Sequence, residues 1–318
     1  ANPAILLLVI ECPLAWSRWT ELRAFLNALR KHIVASAKLV RRKNSKIRAA
    51  KRYFQGANME ATVFEQHQEA EVHHWWFAAR LDIFSALIRH LTPSDSSMKI
   101  VDIGCGTGAF VAKMSDEYDI TGLDASPDAI KMACKNYPSA SFAVVNDTNE
   151  IRPYIKDTDL VSMFDVLEHI EKDHAYLKNI VDALPTGGKI LLTVPANMNI
   201  WGVQDVAVGH FRRYTLETLS AVWQDLPVTC HWQTYYNARL YPLIYIARAF
   251  SRKFGVSVGK GNLDYFVPPK PINAFLKWLF AGELPTILKL ANGDKRTGYS
   301  HGVSIIAFLT KNSEGAES

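Results

Sequence analysis

The segment from Val101 to Gly108, with the sequence V-D-I-G-C-G-T-G, limits the folds open to this chain more than any other stretch. A β-branched run ends in three glycines spaced two apart and continues directly into a helical pattern. Glycine is needed in such a turn where the backbone must take a left-handed conformation or approach a ligand at a helix start. The segment therefore predicts a strand–turn–helix unit with a ligand at the turn.

Strand-like runs alternate with helical stretches from about residue 98 onwards, which is typical of βαβ units. We predict an α/β fold with a doubly wound, seven-stranded Rossmann-like sheet. The predicted strands are 99–103, 120–124, 141–145, 160–164, 189–194, 228–234 and 302–310. The predicted helices follow the glycine turn through 115 and then cover 127–137, 173–183 and 215–224. An apolar helical insertion over 240–300, longer than a usual connection, precedes the last strand.

The glycine turn alone fits two kinds of cofactor, because Gly104, Gly106 and Ala109 also satisfy the dinucleotide fingerprint G-x-G-x-x-G/A. Acidic residues at the ends of the strands favour one of them. Asp102 lies inside the first strand, where a dehydrogenase usually has an apolar residue and where a carboxylate could face a cationic group. Asp124 ends the second strand and is placed to accept hydrogen bonds from ribose hydroxyls.

Two further acids follow later strands. Asp147 comes after the third strand, and Asp165-Val166-Leu167-Glu168-His169 comes after the fourth, at the carboxyl edge where open α/β sheets bind ligands. Together these motifs resemble the class I S-adenosylmethionine-dependent methyltransferases, in the group with D-x-G-C-G-T-G and V-L-E-H motifs. The resemblance covers roughly residues 60–240 and the final strand.

The resemblance implies S-adenosyl-L-methionine as the cofactor and assigns parts of it to particular residues. The glycine turn would bind the methionine part, the acid after strand two the ribose, the acid after strand three the adenine, and the fourth motif would border the transferred methyl. The implied cofactor residues are Asp102, Gly104, Cys105, Gly106, Gly108, Asp124, Asp147 and Asp165.

Two peripheral segments resemble bacterial methyltransferases from cell-surface polysaccharide gene neighbourhoods. One is His73–Arg80, similar to an H-W-W-F-R-A-R helix, with Ala78 in place of the usual first Arg; the other is Gly209–Thr215, similar to G-H-x-R-R-Y-T. The resemblance implies that both border the acceptor pocket. It also implies that four residues contact the substrate: Trp76, Arg80, Arg212 and Arg213. The alternatives are core packing for the tryptophans and structural ion pairs for Arg212 and Arg213.

A hydroxyl acceptor must lose a proton as the new bond forms, so a base is expected near the transferred methyl. His210 and His169 are the candidate catalytic residues; a local packing or capping role is the alternative for His169. No metal is expected, because His67, His73 and His74 lack carboxylates at a spacing that would complete a site.

Basic and acidic residues are unevenly distributed along the chain. Residues 1–58 carry 12 basic and 2 acidic residues, whereas the rest carries 24 basic and 29 acidic residues. We interpret 1–58 as a basic N-terminal extension, either a tail of a fused or upstream protein or a segment that rests on an anionic membrane. The first methionine is Met59. The predicted methyltransferase domain covers 59–239 and 301–312, with 240–300 as a helical, apolar insertion.

Four scattered cysteines without a C-x-x-C pair indicate a reducing compartment. We therefore expect a cytoplasmic protein, with contact at the inner face of the membrane if the insertion is interfacial rather than a helical cover. The predicted function is methyl transfer to a hydroxyl of a small-molecule, sugar or lipid-linked acceptor, without a nucleic-acid partner. A non-catalytic binding protein with this fold and a nicotinamide-dependent oxidoreductase are the alternatives. The acceptor, the methylated atom and the oligomeric state are left open.

Overall fold

The computed structural model describes residues 73–92, 97–202, 205–206, 208–254, 267–294 and 296–313. The predicted extension 1–58 lies outside the described residues, as does part of the insertion. The described residues contain one seven-stranded sheet with helices against it, so the predicted fold class is confirmed.

The sheet has the strand order β3-β2-β1-β4-β5-β7-β6. β7 runs antiparallel to both of its neighbours, β5 and β6, and the other pairings are parallel. The strands are β1 Lys99–Ile103, β2 Asp119–Asp124, β3 Ser141–Val144, β4 Leu160–Phe164, β5 Lys189–Pro195, β6 Val228–Tyr236 and β7 Ser304–Lys311.

Nine α-helices are described, of which three belong to the insertion. The helices before the insertion are α1 Trp75–Leu91, α2 Ala109–Met114, α3 Pro127–Asn136, α4 Thr148–Ile155, α5 Asp173–Ala183 and α6 Leu216–Ser220. The helices of the insertion are α7 Tyr241–Phe254, α8 Lys270–Ala281 and α9 Leu284–Ala291. Two short 3-10 turns follow strands, Leu167–His169 after β4 and Met198–Ile200 after β5.

Apolar residues cover both faces of the sheet. On β1, Val101 and Ile103 pack into a core shared with α4 and α5, whereas Ile100 packs into a core shared with α1, α2, α8 and α9. β5 is apolar on both faces for the same reason, since a strand between two helical layers exposes neither face. The two layers leave only the ends of the strands open to a ligand.

The strand order places one of these ends at a crevice. From β1 the chain winds outward through β2 to β3, and then returns to place β4 on the other side of β1. At such a reversal the connections leave β1 and β4 in opposite directions and open a gap at their carboxyl ends, where ligands of open α/β sheets bind. The glycine turn after β1 and the acid-rich turn after β4 both lie at this gap.

One predicted helix needs correction, and the structure shows two helical features that the sequence interpretation left open. The predicted helix 215–224 ends at Ser220, because the chain turns there and Val222 and Trp223 enter the core from the turn. The apolar stretch 274–290 is two helices, divided where the Glu283 carboxylate accepts a hydrogen bond from the Arg239 amide at 2.9 Å. Helix α4 was not predicted; the side chain of Asp147 caps its first turn.

The insertion packs onto the first helix of the domain. Asn273 on α8 accepts a hydrogen bond from the Trp75 amide at 2.9 Å and donates one to the His73 carbonyl at 2.8 Å. Phe280 on the same helix is completely buried. The helical insertion before the last strand is therefore confirmed. Within the described part of the chain, no helix combines the length and the apolar character needed to cross a membrane.

Candidate active site

The glycines of the turn after β1 allow its backbone to lie close to neighbouring side chains. Gly104 has φ +76°, and a Cβ on it would lie 2.6 Å from Cγ2 of Val166. Gly108 has φ +89°, and a Cβ there would lie 2.6 Å from the Phe142 ring. A larger residue at either position would be strained in its backbone and would collide with a packed side chain. Cys105, between them, is small, buried and not in a disulfide.

Asp124 joins this turn to the end of β2. One carboxylate oxygen accepts a hydrogen bond from the Gly106 amide at 2.9 Å, and the other accepts one from the Ser126 amide at 2.8 Å. Each carboxylate oxygen has two lone pairs, so both oxygens keep capacity for a further donor. The carboxylate is therefore fixed in direction and able to accept from a ligand's hydroxyl groups.

Asp102 is almost completely buried beneath the turn and accepts a 2.6 Å hydrogen bond from the Ser162 hydroxyl on β4. Burial raises the pKa of Asp102 to about 7, and the negative charge of Asp124 adds to the rise, while the Ser162 hydrogen bond opposes it. A carboxyl in this setting gains from a nearby cation, because a positive charge favours its ionised form.

Asp147, predicted to bind adenine, begins α4. One of its oxygens accepts from the amides of Asn149 at 2.7 Å and Glu150 at 3.1 Å. The residue therefore has a clear structural task as a helix cap. Binding of adenine by Asp147 stays a prediction.

The turn after β4 contains an ion pair. Asp165 has a left-handed backbone with φ 59°, unusual for a residue other than glycine. Its carboxylate lies 2.7 Å from the guanidinium group of Arg80 and accepts a 3.0 Å hydrogen bond from the Thr193 hydroxyl. The ion pair fixes the direction of the Asp165 carboxylate at the crevice.

Aromatic rings lie close to the Arg80 guanidinium, whose carbon lies 4.1 Å from the Trp76 ring centre and 5.1 Å from that of Phe84. Burial by itself would lower the pKa of Arg80, but Asp165 raises it. Arg80 is thus a fixed cation, and its ion pair joins α1 to the crevice. Its guanidinium is already occupied by Asp165, so substrate contacts of Arg80 and Trp76 stay predictions.

The loop before α6 brings His210 to the same edge. Its Nδ1 lies 2.9 Å from a carboxylate oxygen of Asp205, whose side chain is completely buried. The Phe211 amide donates to the Glu168 carbonyl at 2.8 Å, which ties the loop to the turn after β4. The rings of His210 and His169 meet edge to face at 4.7 Å. The two histidines singled out in the sequence are therefore neighbours.

Glu168 completes this group. Its side chain is completely buried, and its Oε1 lies 3.8 Å from Nε2 of His210. Burial, followed by the charge of Asp165, raises the pKa of Glu168 well above the usual value. Partial burial and, after it, the charge of the neighbouring His210 lower the pKa of His169. Ring nitrogens of both histidines and a carboxylate oxygen of Glu168 lie within 4.8 Å of one another.

The two arginines after His210 are engaged within the protein. Arg212 pairs with Asp173 at 2.6 Å, and Arg213 pairs with Asp205 at 2.7 Å. Arg213 also donates to the Ala196 carbonyl at 3.1 Å. These contacts favour the structural alternative for both residues, so anion binding by them stays a prediction.

The sequence interpretation missed Asp205 and did not single out Glu168. Asp205 lies five positions before His210 in a segment without a recognisable pattern. Glu168 lies inside the V-L-E-H motif, but its burial depends on how the loop around His210 packs over it. Only the position of Glu168 next to His169 could have drawn attention to it.

The residues at the crevice fit the cofactor that the motifs imply. The glycine turn lies against Val166 and Phe142 with no room for a Cβ at Gly104 or Gly108. Asp102 beneath the turn would be stabilised in its charged form by a cationic group. Asp124 has acceptor capacity left for hydroxyl groups. These are the requirements of a nucleoside that carries a sulfonium group.

Comparison with known proteins gives a consistent result. A family model described as a methyltransferase domain matches residues 75–226. The chain is 26% identical over 110 residues to trans-aconitate 2-methyltransferase of Afipia carboxidovorans, covering 34% of this chain and 42% of that protein. It is 29% identical over 127 residues to the mitochondrial ubiquinone biosynthesis O-methyltransferase of Schizosaccharomyces pombe, covering 38% and 46%. The match thus spans less than half of each of these relatives.

A solved structure shares the fold at low sequence identity. Phosphoethanolamine N-methyltransferase 2 of Haemonchus contortus, bound to phosphomonomethylethanolamine and S-adenosylhomocysteine, superposes with a TM-score of 0.50 and 15% identity. The alignment covers 82% of this chain and 60% of that one. The predicted methyltransferase family is confirmed over residues 75–226, and the predicted cofactor, S-adenosyl-L-methionine, with it. The solved structure shows the shared fold.

Proposed function

We propose, since the chain belongs to the class I S-adenosylmethionine-dependent methyltransferases, that it transfers a methyl group to a hydroxyl of a small-molecule, sugar or lipid-linked acceptor. The bound cofactor supplies a methyl group activated by a sulfonium. Most of the rate enhancement then comes from alignment of the acceptor with that methyl, a positioning effect.

In this proposal different residues at the crevice bind different parts of the cofactor. Asp124 would accept hydrogen bonds from the ribose hydroxyls, the glycine turn would hold the methionine part, and Asp102 would stabilise the positive charge. Support comes from the fixed direction of the Asp124 carboxylate and from the rise in the pKa of Asp102, which a cation would reverse.

The hydroxyl acceptor rests on one observation, the hydrogen bond between Nδ1 of His210 and the buried Asp205 carboxylate. An ionised carboxylate on Nδ1 keeps a proton on that nitrogen and leaves Nε2 as the basic one. The carboxylate also stabilises the imidazolium that forms when Nε2 takes a proton, as in other acid–histidine pairs. A hydroxyl acceptor needs such a base.

The experiment compares acceptors of different chemistry. The purified full chain is incubated with cofactor labelled in its methyl group and with a catechol, a monosaccharide and phosphoethanolamine in separate reactions. We expect label in a hydroxyl-bearing acceptor, and loss of that transfer in His210→Gln with unchanged binding of S-adenosylhomocysteine. Labelling of the amine alone, or full transfer by His210→Gln, would contradict the hydroxyl assignment.

We further propose that the insertion contacts a membrane surface from the cytoplasmic side, where a lipid-linked acceptor would lie. Support comes from Phe275 and Trp278 on α8, whose rings lie 5.9 Å apart and whose exposed fractions are 45% and 55%. On α7, Ile246 is 65% exposed. Exposed aromatic side chains suit the boundary of a bilayer. Lys277 does not add to this support, because Asp82 pairs with its amine at 2.8 Å.

Vesicle flotation tests the membrane proposal. We expect the full chain to float with anionic vesicles at low salt, and the double variant Phe275→Ser and Trp278→Ser to float less. The control is Tyr154→Ser on α4, which removes an aromatic side chain that is 41% exposed. Phe280 is left unchanged, because it is completely buried and its loss would destabilise the fold. Equal flotation of all three proteins, or none by the full chain, contradicts the proposal.

A further inference from the structure

Glu168 is a buried acid without a role in the proposed methyl transfer. Its side chain is fully enclosed, and among the described residues its carboxylate oxygens find no hydrogen-bond donor outside the backbone of Glu168 itself. Leaving a buried polar group unpaired costs free energy, and a buried charge costs more. A residue held in this way in a turn at the crevice needs a physical reason.

The nearest basic atom to this carboxyl is Nε2 of His210, 3.8 Å from Oε1. The opposite nitrogen of the same ring faces Asp205 at 2.9 Å. Asp205 also accepts hydrogen bonds from Arg213 at 2.7 Å and from the Gly202 amide at 2.8 Å. Burial would raise the pKa of Asp205, but these donors hold it below its usual value. Asp205 therefore stays ionised and keeps the proton of the neutral imidazole on Nδ1, so that Nε2 carries the free electron pair.

Other charged groups determine how tightly Glu168 and His210 hold a proton. Asp165 favours the protonated form of Glu168, and Arg80 and Arg213 oppose it, with burial as the largest influence. The titratable and charged groups around the pair are Arg80, Asp165, His169, Asp205, Arg213 and Tyr214. The two arginines are themselves paired with Asp165 and Asp205, so little net positive charge is left to hold Glu168 ionised.

We propose that Glu168 and His210 form a proton-sharing pair, in which Glu168 holds on His210 the proton that leaves the acceptor hydroxyl. The proposal rests on the proposed function, because it requires a hydroxyl acceptor and His210 as its base. His210 is the residue that touches the acceptor, and Glu168 acts through it as a positioning residue.

The acceptor oxygen forms a bond to the methyl carbon, and the carbon–sulfur bond breaks with its electron pair remaining on sulfur. The hydroxyl proton moves to Nε2 of His210 and is then shared with Oε1 of Glu168. A hydrogen bond between these atoms requires the 3.8 Å separation to shorten by about 1 Å, and catalytic hydrogen bonds are often long before substrate binds.

The proton must leave again before the next turnover. The side chain of His210 is 13% exposed, whereas that of Glu168 is completely buried. Water can therefore reach the imidazole but not the carboxyl, and the proton leaves through His210. Only the form of the pair without the shared proton accepts the next one, so turnover is expected to rise with pH as the pair loses its proton.

Nuclear magnetic resonance of the histidine rings tests the pair without any acceptor. The full chain is titrated in the presence of S-adenosylhomocysteine, and the His210 signals are assigned by their loss in His210→Gln. We expect Glu168→Gln to move the midpoint of the His210 titration to lower pH by about one unit, because the carboxyl that shares the added proton with the imidazole is gone. Glu283→Gln is the matched control, since it removes another completely buried carboxyl, and should leave the midpoint in place.

A second measurement on the unchanged protein covers the case in which Glu168→Gln does not fold. Nitrogen chemical shifts above the midpoint should show the proton on Nδ1 and none on Nε2. A proton on Nε2 would overturn the proposal, as would an unshifted midpoint in folded Glu168→Gln. A chelator-sensitive His210 signal restored by a divalent metal would also overturn it, because the metal would then occupy Nε2.

The proposed function fails in a different way. If the unmodified chain transfers label to no hydroxyl acceptor, or if His210→Gln transfers it normally, the proposed function is wrong. If His210→Gln abolishes transfer but Glu168→Gln leaves the His210 titration unmoved, only the pair is wrong.

Discussion

The guanidinium group of Arg80 lies 2.7 Å from the carboxylate of Asp165, although Arg80 precedes β1 and Asp165 follows β4. The pair joins the first helix of the domain to the turn that borders the crevice. It also neutralises Asp165, which lies in a left-handed backbone conformation near Glu168. The helix α1 therefore borders the candidate site and is also part of the core.

Removal of this guanidinium should destabilise the domain. We expect Arg80→Leu to lower the free energy of unfolding by about 2–4 kcal/mol, because it leaves a largely buried carboxylate without its partner. Arg89→Leu on the same helix is the control, since Arg89 pairs with Glu117 at the surface and the loss should be about 0.5 kcal/mol. Urea unfolding measures both. Similar losses for the two variants would show that the Arg80 pair is energetically an ordinary surface pair.

Loss of the Asp124 carboxylate should weaken cofactor binding. Asp124→Ala removes the proposed acceptor of the ribose hydroxyls and also releases the Gly106 amide. We expect the affinity for S-adenosylhomocysteine to fall at least about tenfold, since a hydrogen bond to a charged group contributes about 1.5–3 kcal/mol. Calorimetric titration measures it, with Asp128→Ala, an exposed acid at the start of α3, as the control. Unchanged affinity in a folded Asp124→Ala protein would remove the ribose assignment.

A methyl group on Gly104 should affect both stability and binding. Gly104→Ala meets two obstacles, φ +76° and a contact of 2.6 Å with Val166. Gly187→Ala meets only the first, with φ +79° and open space around it, and should cost about 1–2 kcal/mol. Thermal unfolding should show a larger loss for Gly104→Ala, and only that variant should lose affinity for S-adenosylhomocysteine. Equal effects of the two substitutions would mean that Val166 moves aside without cost.

The raised pKa of Asp102 predicts how stability depends on pH. Asp102 holds its proton more tightly in the folded protein, with a pKa of about 7, than in the unfolded chain, where the value is near 3.8. Its contribution to stability is therefore complete below the lower value and is lost as the pH rises toward the upper one.

Asp102→Asn should remove that loss. Between pH 5 and pH 8 the free energy of unfolding should fall in the unmodified protein by on the order of 2 kcal/mol more than in Asp102→Asn. Asp128→Asn should behave like the unmodified protein. The comparison is made by urea unfolding without cofactor, because a bound sulfonium would favour the ionised form. An identical pH dependence in the Asp102 variant would assign the effect to other groups.

The sequence was sufficient for the strands but not for the contacts between distant residues. β1 and β4 match the predicted bounds, because strands buried on both faces are continuous apolar runs bounded by polar turns. Helix α4 was missed, since its start at Asp147 was interpreted only as a ligand contact. Local patterns show only local periodicity. Asp147 was interpreted as a ligand contact, and this interpretation concealed its role as the cap of a helix.

The arrangement of the candidate site depends on chain folding that no local pattern encodes. The His210–Asp205 hydrogen bond lies within one loop, yet the spacing has no periodic signature. The enclosure of Glu168 depends on that loop packing over the turn after β4. Motifs therefore predicted which residues gather at the crevice, whereas their pairing and protonation required the three-dimensional structure.

The position of β7 has a consequence for synthesis on the ribosome. β7 lies between β5 and β6, so β6 leaves the exit tunnel before the strand that will hold it. Until residues 304–311 emerge, the edge of β5 and the whole of β6 expose unpaired backbone groups and apolar side chains. Such open edges and apolar surfaces are the features that molecular chaperones bind. The nascent chain thus passes through a stage in which the cofactor crevice can already form while the sheet is still incomplete.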